Sequence, residues 1–284
     1  MMNIGENAAA APHSNAEFHV HISSTMQAHL VQFDIAWEDP QRNFDLVADM
    51  LDKASVQEGD LILLPEMFDS GFSFNVERNN DKSGRTLAFL LELADDHKAI
   101  VQGGRTVAPC GACAGHNVMT VVAPGQRVLT EYTKIHPFQR EAQRFESGTT
   151  IETFAWNDLT VCPAICYDLR FPELFRAGLL KGAQAFTVGA CWPAVRAHHW
   201  RALLIARAIE NQAYAFGVNR TGKDPMATYA GGTIAIGPRG DILGELGDAP
   251  GVLSVPVSLA EVASWRESFF AWKDGKLLAH FKVP

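Results

Sequence analysis

Apolar and polar residues follow two rhythms along this chain, and the rhythms exchange places several times. Gln27–Ile35 (QAHLVQFDI) and Asp60–Leu64 (DLILL) crowd apolar residues into the short runs expected of buried strands. Between them, Asn43–Ala54 sets Phe44, Leu46, Val47, Met50 and Leu51 at helical spacing. Thr86–His97 predicts another helix and Ala99–Val107 another strand. Asn117–Val122 and Gln126–Tyr132 flank Pro124–Gly125, so the two segments are expected to pair as a hairpin.

The second half continues in the same way. Leu159–Cys166 reads as a strand, and Pro172–Leu180 as a short helix opened by proline, which has no amide hydrogen to leave unpaired there. Ala183–Gly189 is a strand and Arg196–Asn211 a longer helix. Tyr214–Asn219, Gly232–Ile236, Ile242–Leu246 and Gly251–Pro256 read as strands parted by glycine-rich turns. A short helix begins at Leu259, followed by an arm bearing Phe269, Phe270 and Trp272. Many strands mixed with a few helices predict an α/β class, two sheets covered by helices. No break in composition divides the strands, so residues 26–284 are expected to form a single domain. Residues 1–25 lack the basic-then-apolar order of a signal peptide and read as a disordered extension.

Composition narrows the field of partners. The 284 residues carry a formal net charge of −8, which repels phosphate backbones, so no nucleic-acid partner is expected. No apolar stretch approaches the ~20 residues that span a bilayer, so no membrane partner is expected either. The cysteines are five (Cys110, Cys113, Cys162, Cys166, Cys191), an odd number in a long chain. That argues for a reducing compartment, the cytoplasm, with thiols free to be buried or to react. Cys110-Gly111-Ala112-Cys113 is a lone CxxC; a redox pair or half a zinc site is the alternative to the hairpin turn expected there. No G-x-G-x-x-G follows the first strand and no P-loop is present, so a nucleotide cofactor loses its usual anchors, and without an HExxH the histidines form no metal signature.

Three segments share one form, a strand ending in a reactive side chain: Leu63–Phe68 (LLPEMF), Glu131–His136 (EYTKIH) and Pro163–Glu173 (PAICYDLRFPE). The third delivers Cys166 from a strand into a turn and then a helix, which exposes a nucleophile beside backbone amides. The N–H of Tyr167 is the natural oxyanion donor. A thiol with a pKa near 8.5 needs help at neutral pH. Glu66 is the candidate base, and Lys134 the candidate cation for charge developing on a carbonyl oxygen. Taken singly, each has a plain structural reading: Cys166 as a core thiol, Glu66 and Lys134 as solvated charges. Cys162 lies on the same strand at even spacing and reads as core. His136 is an alternative partner for Cys166, as in Cys–His hydrolases.

LLPEMF, YTKIHPF and CYDLRFPEL, in this order, resemble the nitrilase superfamily, the carbon–nitrogen hydrolases with a Glu-Lys-Cys triad. The resemblance runs from about residue 27 to about residue 275. It implies a four-layer α-β-β-α sandwich, no metal and no organic cofactor, and assembly as a homodimer or higher homo-oligomer. Glu141-Ala142-Gln143-Arg144-Phe145-Glu146-Ser147-Gly148 matches the loop that supplies a second glutamate, so Glu141 is expected to orient Lys134 and the substrate. Glu66–Phe74 (EMFDSGFSF), Trp192-Pro193 and HW…ARAIENQAY…NR resemble the omega-amidase branch, whose substrates are small 2-oxo dicarboxylic monoamides such as 2-oxoglutaramate. Pro137 departs from the pattern, and Lys223–Tyr229 is not diagnostic. Trp192 and Phe72 are candidate pocket walls, and Arg170 and Arg196 candidate cations for a far carboxylate; Arg170 could instead pair with Asp168. Other readings are hydrolysis of a nitrile, an N-carbamoyl amino acid or a deaminated peptide, a catalytically silent binding protein of the same fold, or thiol-redox chemistry at Cys110 and Cys113.

Overall fold

The computed structural model describes residues 26–108 and 114–276. The expectations for residues 1–25 and for Cys110–Cys113 fall outside the described residues. The first sheet is built from β1 (Met26–Gln32), β2 (Leu61–Leu63), β3 (Ile100–Val107), β4 (His116–Ala123) and β5 (Arg127–Thr133). The second uses β6 (Phe154–Trp156), β7 (Leu159–Ile165), β8 (Ala185–Ala190) and β9 (Tyr214–Asn219). A small ribbon, β10 (Thr221–Lys223) and β11 (Thr228–Ala230), interrupts it before β12 (Ile234–Ile236) and β13 (Ile242–Glu245). The chain then returns to the first sheet as β14 (Gly251–Val257). The sheet orders are β14-β1-β2-β3-β4-β5 and β13-β12-β9-β8-β7-β6. Each has three parallel strands at its centre, β1-β2-β3 and β7-β8-β9, flanked by antiparallel ones.

Helices α1 (Pro40–Asp52), α2 (Val76–Asn79) and α3 (Arg85–His97) accompany the first sheet, and α4 (Pro172–Leu180), α5 (Ala197–Asn211) and α6 (Leu259–Ser268) the second. The period-2 alternation of the strands divides the apolar residues between layers. Ala28, Leu30, Leu61 and Leu63 face the other sheet and pack with Val161, Ala185 and Phe216. Val31, Ile62 and Leu64 face outward onto Phe44, Val47 and Leu51 of α1 and Leu90 of α3. Ala164, Phe186 and Val188 meet Phe175 of α4 and Leu204 and Ala208 of α5. The result is the four-layer α-β-β-α sandwich. Each such large side chain withdrawn from water contributes about 1.5–3 kcal/mol before entropy is charged against it. Among the described residues no helix is long and apolar enough to cross a membrane.

The expected elements are present with boundaries moved by a few residues, and the predicted hairpin is the β4–β5 pair. One difference matters for chemistry. The strand expected to run to Cys166 ends at Ile165, and Cys166 opens a 3₁₀ turn over Cys166–Arg170. Cys166 has φ +46, in the left-handed region that β-strands exclude. β6 and the β10–β11 ribbon were not expected; at three residues per strand they carry no readable alternation.

Candidate active site

The parallel strands of both sheets end at one place, where loops collect side chains from distant parts of the chain. Pro65 and Glu66 follow β2, and Met67 takes φ +43 to start the turn. The loop is pressed against both sheets. A Cβ on Gly104 would stand 2.6 Å from Met67 N and 2.8 Å from Glu66 Cα, and one on Gly189 would stand 3.2 Å from Glu66 N. Lys134 follows β5, and Glu141 sits in the 3₁₀ turn Gln139–Gln143. All three charged side chains are at 0% exposure. A buried charge is tolerable only when paired and hydrogen-bonded.

Here the pairing is complete. Lys134 Nζ donates to Glu66 Oε1 at 2.7 Å and to Glu141 Oε2 at 2.8 Å and Oε1 at 3.1 Å. Glu66 Oε2 accepts the N–H of Cys191 at 2.9 Å, and Glu141 Oε2 accepts that of Phe138 at 2.6 Å. Asn117 ties the acids together, its Nδ2 donating to Glu66 Oε1 at 2.7 Å and Glu141 Oε1 at 2.8 Å. Burial works against the Lys134 charge, but Glu141 and Glu66 outweigh it and hold the ammonium well above the ordinary lysine range. Burial and the charge of Glu66 raise Glu141, against the pull of Lys134.

Cys166 stands at the end of β7 in the field of this cluster. Burial and the Glu66 charge push its thiol well up, with Lys134 opposing them. The thiol therefore keeps its proton until a base removes it. The turn that holds it is organised by Asp168, also fully buried. Asp168 Oδ2 accepts from Ile165 N at 3.0 Å and Tyr132 Oη at 2.8 Å; Oδ1 accepts from His136 N at 3.0 Å and bonds His136 Nδ1 at 2.8 Å. His136, the alternative base for Cys166, is thus engaged with Asp168 and stacked on Phe171. Tyr167 is the second residue of the turn, where a 3₁₀ segment leaves its opening amides without an internal partner. Cys162 points the other way, into the helix layer, where a Cβ on Gly178 would lie 2.8 Å from its Sγ. Burial pushes that thiol up to about 12.

Above Cys166 opens a cavity of about 410 Å³ walled by Phe72, Phe138, Tyr167, Trp192 and Tyr229, with Arg170 and Arg196 among its lining residues. Glu66, Lys134 and Glu141 lie beneath, and Lys134 Nζ is 5.4 Å from the centre of the Phe72 ring. Arg170 does not pair with Asp168. Its guanidinium stacks over Trp192 at 4.7 Å, with Nη2 3.3 Å from His199 Nδ1. Arg196 lies 5.4 Å from the Phe138 ring centre. Neither guanidinium has a carboxylate partner among the described residues. Partial burial, His198 and these two arginines lower His199, which keeps the rim's positive charge on the guanidinium groups. Trp192 is fixed by Asn219, whose Oδ1 accepts its N–H at 2.8 Å and whose Nδ2 donates to its carbonyl at 3.1 Å. Among the described residues no group of His, Cys, Asp and Glu has the arrangement to hold a metal ion.

The structure thus brings Glu66, Lys134, Glu141 and Cys166 together, with Tyr167, Trp192, Arg170, Arg196 and Phe72 around the cavity. Sequence reasoning missed Asn117, the Cys191 amide and the hub at Asp168. It also set aside the segment containing Thr228 and Tyr229, both of which line the cavity. Nothing local marks these residues, since each acts through partners remote in sequence.

The carbon–nitrogen hydrolase family matches residues 27–267. Among curated relatives, the chain is 35% identical over 260 residues to a hydrolase in the agr operon of Staphylococcus aureus, covering 89% of this chain and 98% of that one. It is 33% identical over 248 residues to 2-oxoglutaramate amidase of Bacillus subtilis, covering 86% and 95%. A solved carbon–nitrogen hydrolase superfamily protein of Xanthomonas campestris, with an arsenic adduct in its active site, superposes with a TM-score of 0.83 at 30% identity, covering 89% and 98%.

Proposed function

Because this chain belongs to the carbon–nitrogen hydrolase family of the nitrilase superfamily and is an amidohydrolase of that class, we propose that it is an omega-amidase. Its substrate is a small 2-oxo dicarboxylic monoamide, 2-oxoglutaramate or 2-oxosuccinamate, hydrolysed through a thioester on Cys166. The observation that carries this reading is a thiol on a cavity floor, beside a carboxylate and an ammonium fully withdrawn from water.

In the proposed reaction Glu66 takes the Cys166 proton as the sulfur attacks the amide carbonyl. The oxyanion is met by the Lys134 ammonium and the Tyr167 N–H; such preorganised donors are worth about 3–4 kcal/mol each. Glu66 returns the proton to the departing nitrogen, so ammonia leaves rather than an amide anion. Water then enters, Glu66 takes its proton, and the hydroxide opens the thioester; the proton returns to sulfur as the acid leaves. Glu141 orients Lys134 and the substrate, and Asn117 positions Glu66 and Glu141. Arg170 and Arg196, without carboxylate partners among the described residues, are assigned to the distal carboxylate, and Trp192 and Phe72 to the apolar walls.

We extend the proposal to assembly as a homodimer through the outer helical layer of the second sheet, where Ile209, Phe269 and Phe270 are more than half exposed at 52%, 51% and 54%. Light scattering reporting a monomer at micromolar concentration overturns that part alone.

The activity is tested by ammonia release from 2-oxoglutaramate, 2-oxosuccinamate, glutamine, a simple nitrile and an N-carbamoyl amino acid, with wild type and Cys166→Ala. Release from the oxo-amides by wild type only is the expected result. Turnover surviving in Cys166→Ala sinks the mechanism, and preference for the nitrile or carbamoyl compound sinks the substrate assignment.

A further inference from the structure

Away from this cavity, three side chains from three segments form a continuous hydrogen-bonded chain. His29 in β1 stands directly opposite Ser254 in β14 in their antiparallel ladder. Ser254 Oγ lies 2.8 Å from His29 Nδ1, and His29 Nε2 lies 2.9 Å from Asp60 Oδ2. Asp60 is pinned by the N–H of Gln27 on Oδ1 and of Gln57 on Oδ2, each at 2.8 Å. A carboxylate only accepts, so Nε2 carries the imidazole hydrogen. Nδ1 then holds the lone pair and takes the Ser254 hydroxyl hydrogen, an assignment that follows from the network. His29 and Asp60 are buried, whereas Ser254 is exposed. Ser254 borders a groove of about 710 Å³ between α1 and the sheet edge, with Phe33, Leu46, Met50 and Val252 among its walls.

The strand register supplies an oxyanion donor. Gln27 turns its N–H to Asp60, on the β2 side. By alternation Ala28 and Leu30 turn theirs to β14, and their partners Val255 and Leu253 turn back toward them. Ser254 therefore points its N–H away from β1, and β14 is the last strand of its sheet. Pro256, the next outward-facing residue, has no N–H to present, as edge strands allow. The nucleophile's own amide is one of the two oxyanion donors in serine hydrolases built on Ser–His–Asp, which are recognised by geometry and not by sequence order.

We propose that Ser254, His29 and Asp60 form a second, serine-dependent hydrolytic site for esters with short apolar acyl chains. Ser254 Oγ attacks the ester carbonyl as its proton passes to His29 Nδ1, and Asp60 stabilises the imidazolium. The carbon–alkoxy bond breaks, and the Nδ1 proton leaves with the alcohol. Water then gives a proton to Nδ1, its oxygen opens the acyl-serine, and the proton returns to Ser254. The groove's apolar walls take the acyl chain. This site shares no residue with the Cys166 cavity and does not rest on the amidase reading.

The test uses the full chain carrying Cys166→Ala, which removes the other nucleophile. It measures hydrolysis of p-nitrophenyl butyrate and labelling by an alkyl fluorophosphonate mapped to its peptide. The expected result is labelling at Ser254 and ester turnover that falls at least tenfold on adding Ser254→Ala or His29→Asn. Ser254→Ala alone should leave amide hydrolysis unchanged. Either an unlabelled Ser254 or turnover unaffected by Ser254→Ala overturns the proposal. Ser254→Ala decides the matter if His29→Asn fails to fold, since it removes only an exposed hydroxyl.

Discussion

Glu66 and Asp69 lie on the same loop after β2, both withdrawn from water, and they keep opposite company. Glu66 meets a lysine ammonium, an asparagine amide and a backbone N–H. Asp69 meets no cation among the described residues but two hydroxyls, Thr86 Oγ1 at 2.7 Å on Oδ2 and Ser70 Oγ at 3.0 Å on Oδ1, and its own backbone N–H, with the like charge of Asp81 nearby. Burial pushes Asp69 up to about 6, only partly offset by its hydroxyl partners. The difference teaches that burial without a cation pushes a carboxyl up, as at Asp69, whereas Glu66 and Glu141 are withdrawn from water against one shared ammonium. Asn117 adds a second, neutral bridge between the two carboxylates that the cation already joins.

The largest effect should come from removing the cation. Lys134→Met leaves Glu66 and Glu141 buried without compensation, so activity should vanish and stability should drop by about 3–5 kcal/mol. Thermal melts showing less than about 1 kcal/mol of loss would mean that Lys134 is not what makes this loop differ from that of Asp69. Next, Glu66→Gln keeps the shape and removes the base. Turnover should fall by about 10²–10⁴-fold with KM little changed. A KM effect alone would make Glu66 a binding group.

Asp69→Asn tests the other half of the comparison. The folded pKa of about 6 exceeds the ordinary 3.8. The wild-type contribution is therefore fully present below pH 3.8 and lost as pH rises through about 6. The variant should match wild type near pH 4 and exceed it by roughly 3 kcal/mol at pH 7. Denaturation curves at the two pH values check this; an equal gap at both would remove the burial argument. The smallest effect is at the rim. Arg170→Met should raise KM for a carboxylate-bearing amide about ten- to a hundredfold, roughly 2 kcal/mol, with kcat nearly intact. Equal loss against an uncharged amide would assign Arg170 to holding Trp192 instead.

Much of this site is legible along the chain because its chemistry is carried by strand ends, and a strand announces itself by period. LLPE, YTK and the run through Cys166 each join a readable strand to one reactive side chain. Asn117 is different: its role exists only because β4 runs beside the loop carrying Glu66, 51 residues earlier. The Cys191 amide is further still, meeting a carboxylate 125 residues away. Ser254 and His29, 225 residues apart, are joined only by the return of β14 to the first sheet. β10 and β11 stayed hidden because three residues are too few to show alternation, although Thr228 and Tyr229 of β11 line the cavity.

By itself, then, the sequence determined the alternation of strands and helices, the layered class and the order of Glu66, Lys134 and Cys166, because periodicity and strand-end chemistry are local properties. Only the tertiary structure decided that Arg170 stacks on Trp192 and leaves Asp168 to four other donors. It also decided that Cys166 turns left-handed out of its strand and that one asparagine bridges two acids. These depend on which strand lies beside which, and on where charge is allowed to remain once water is gone.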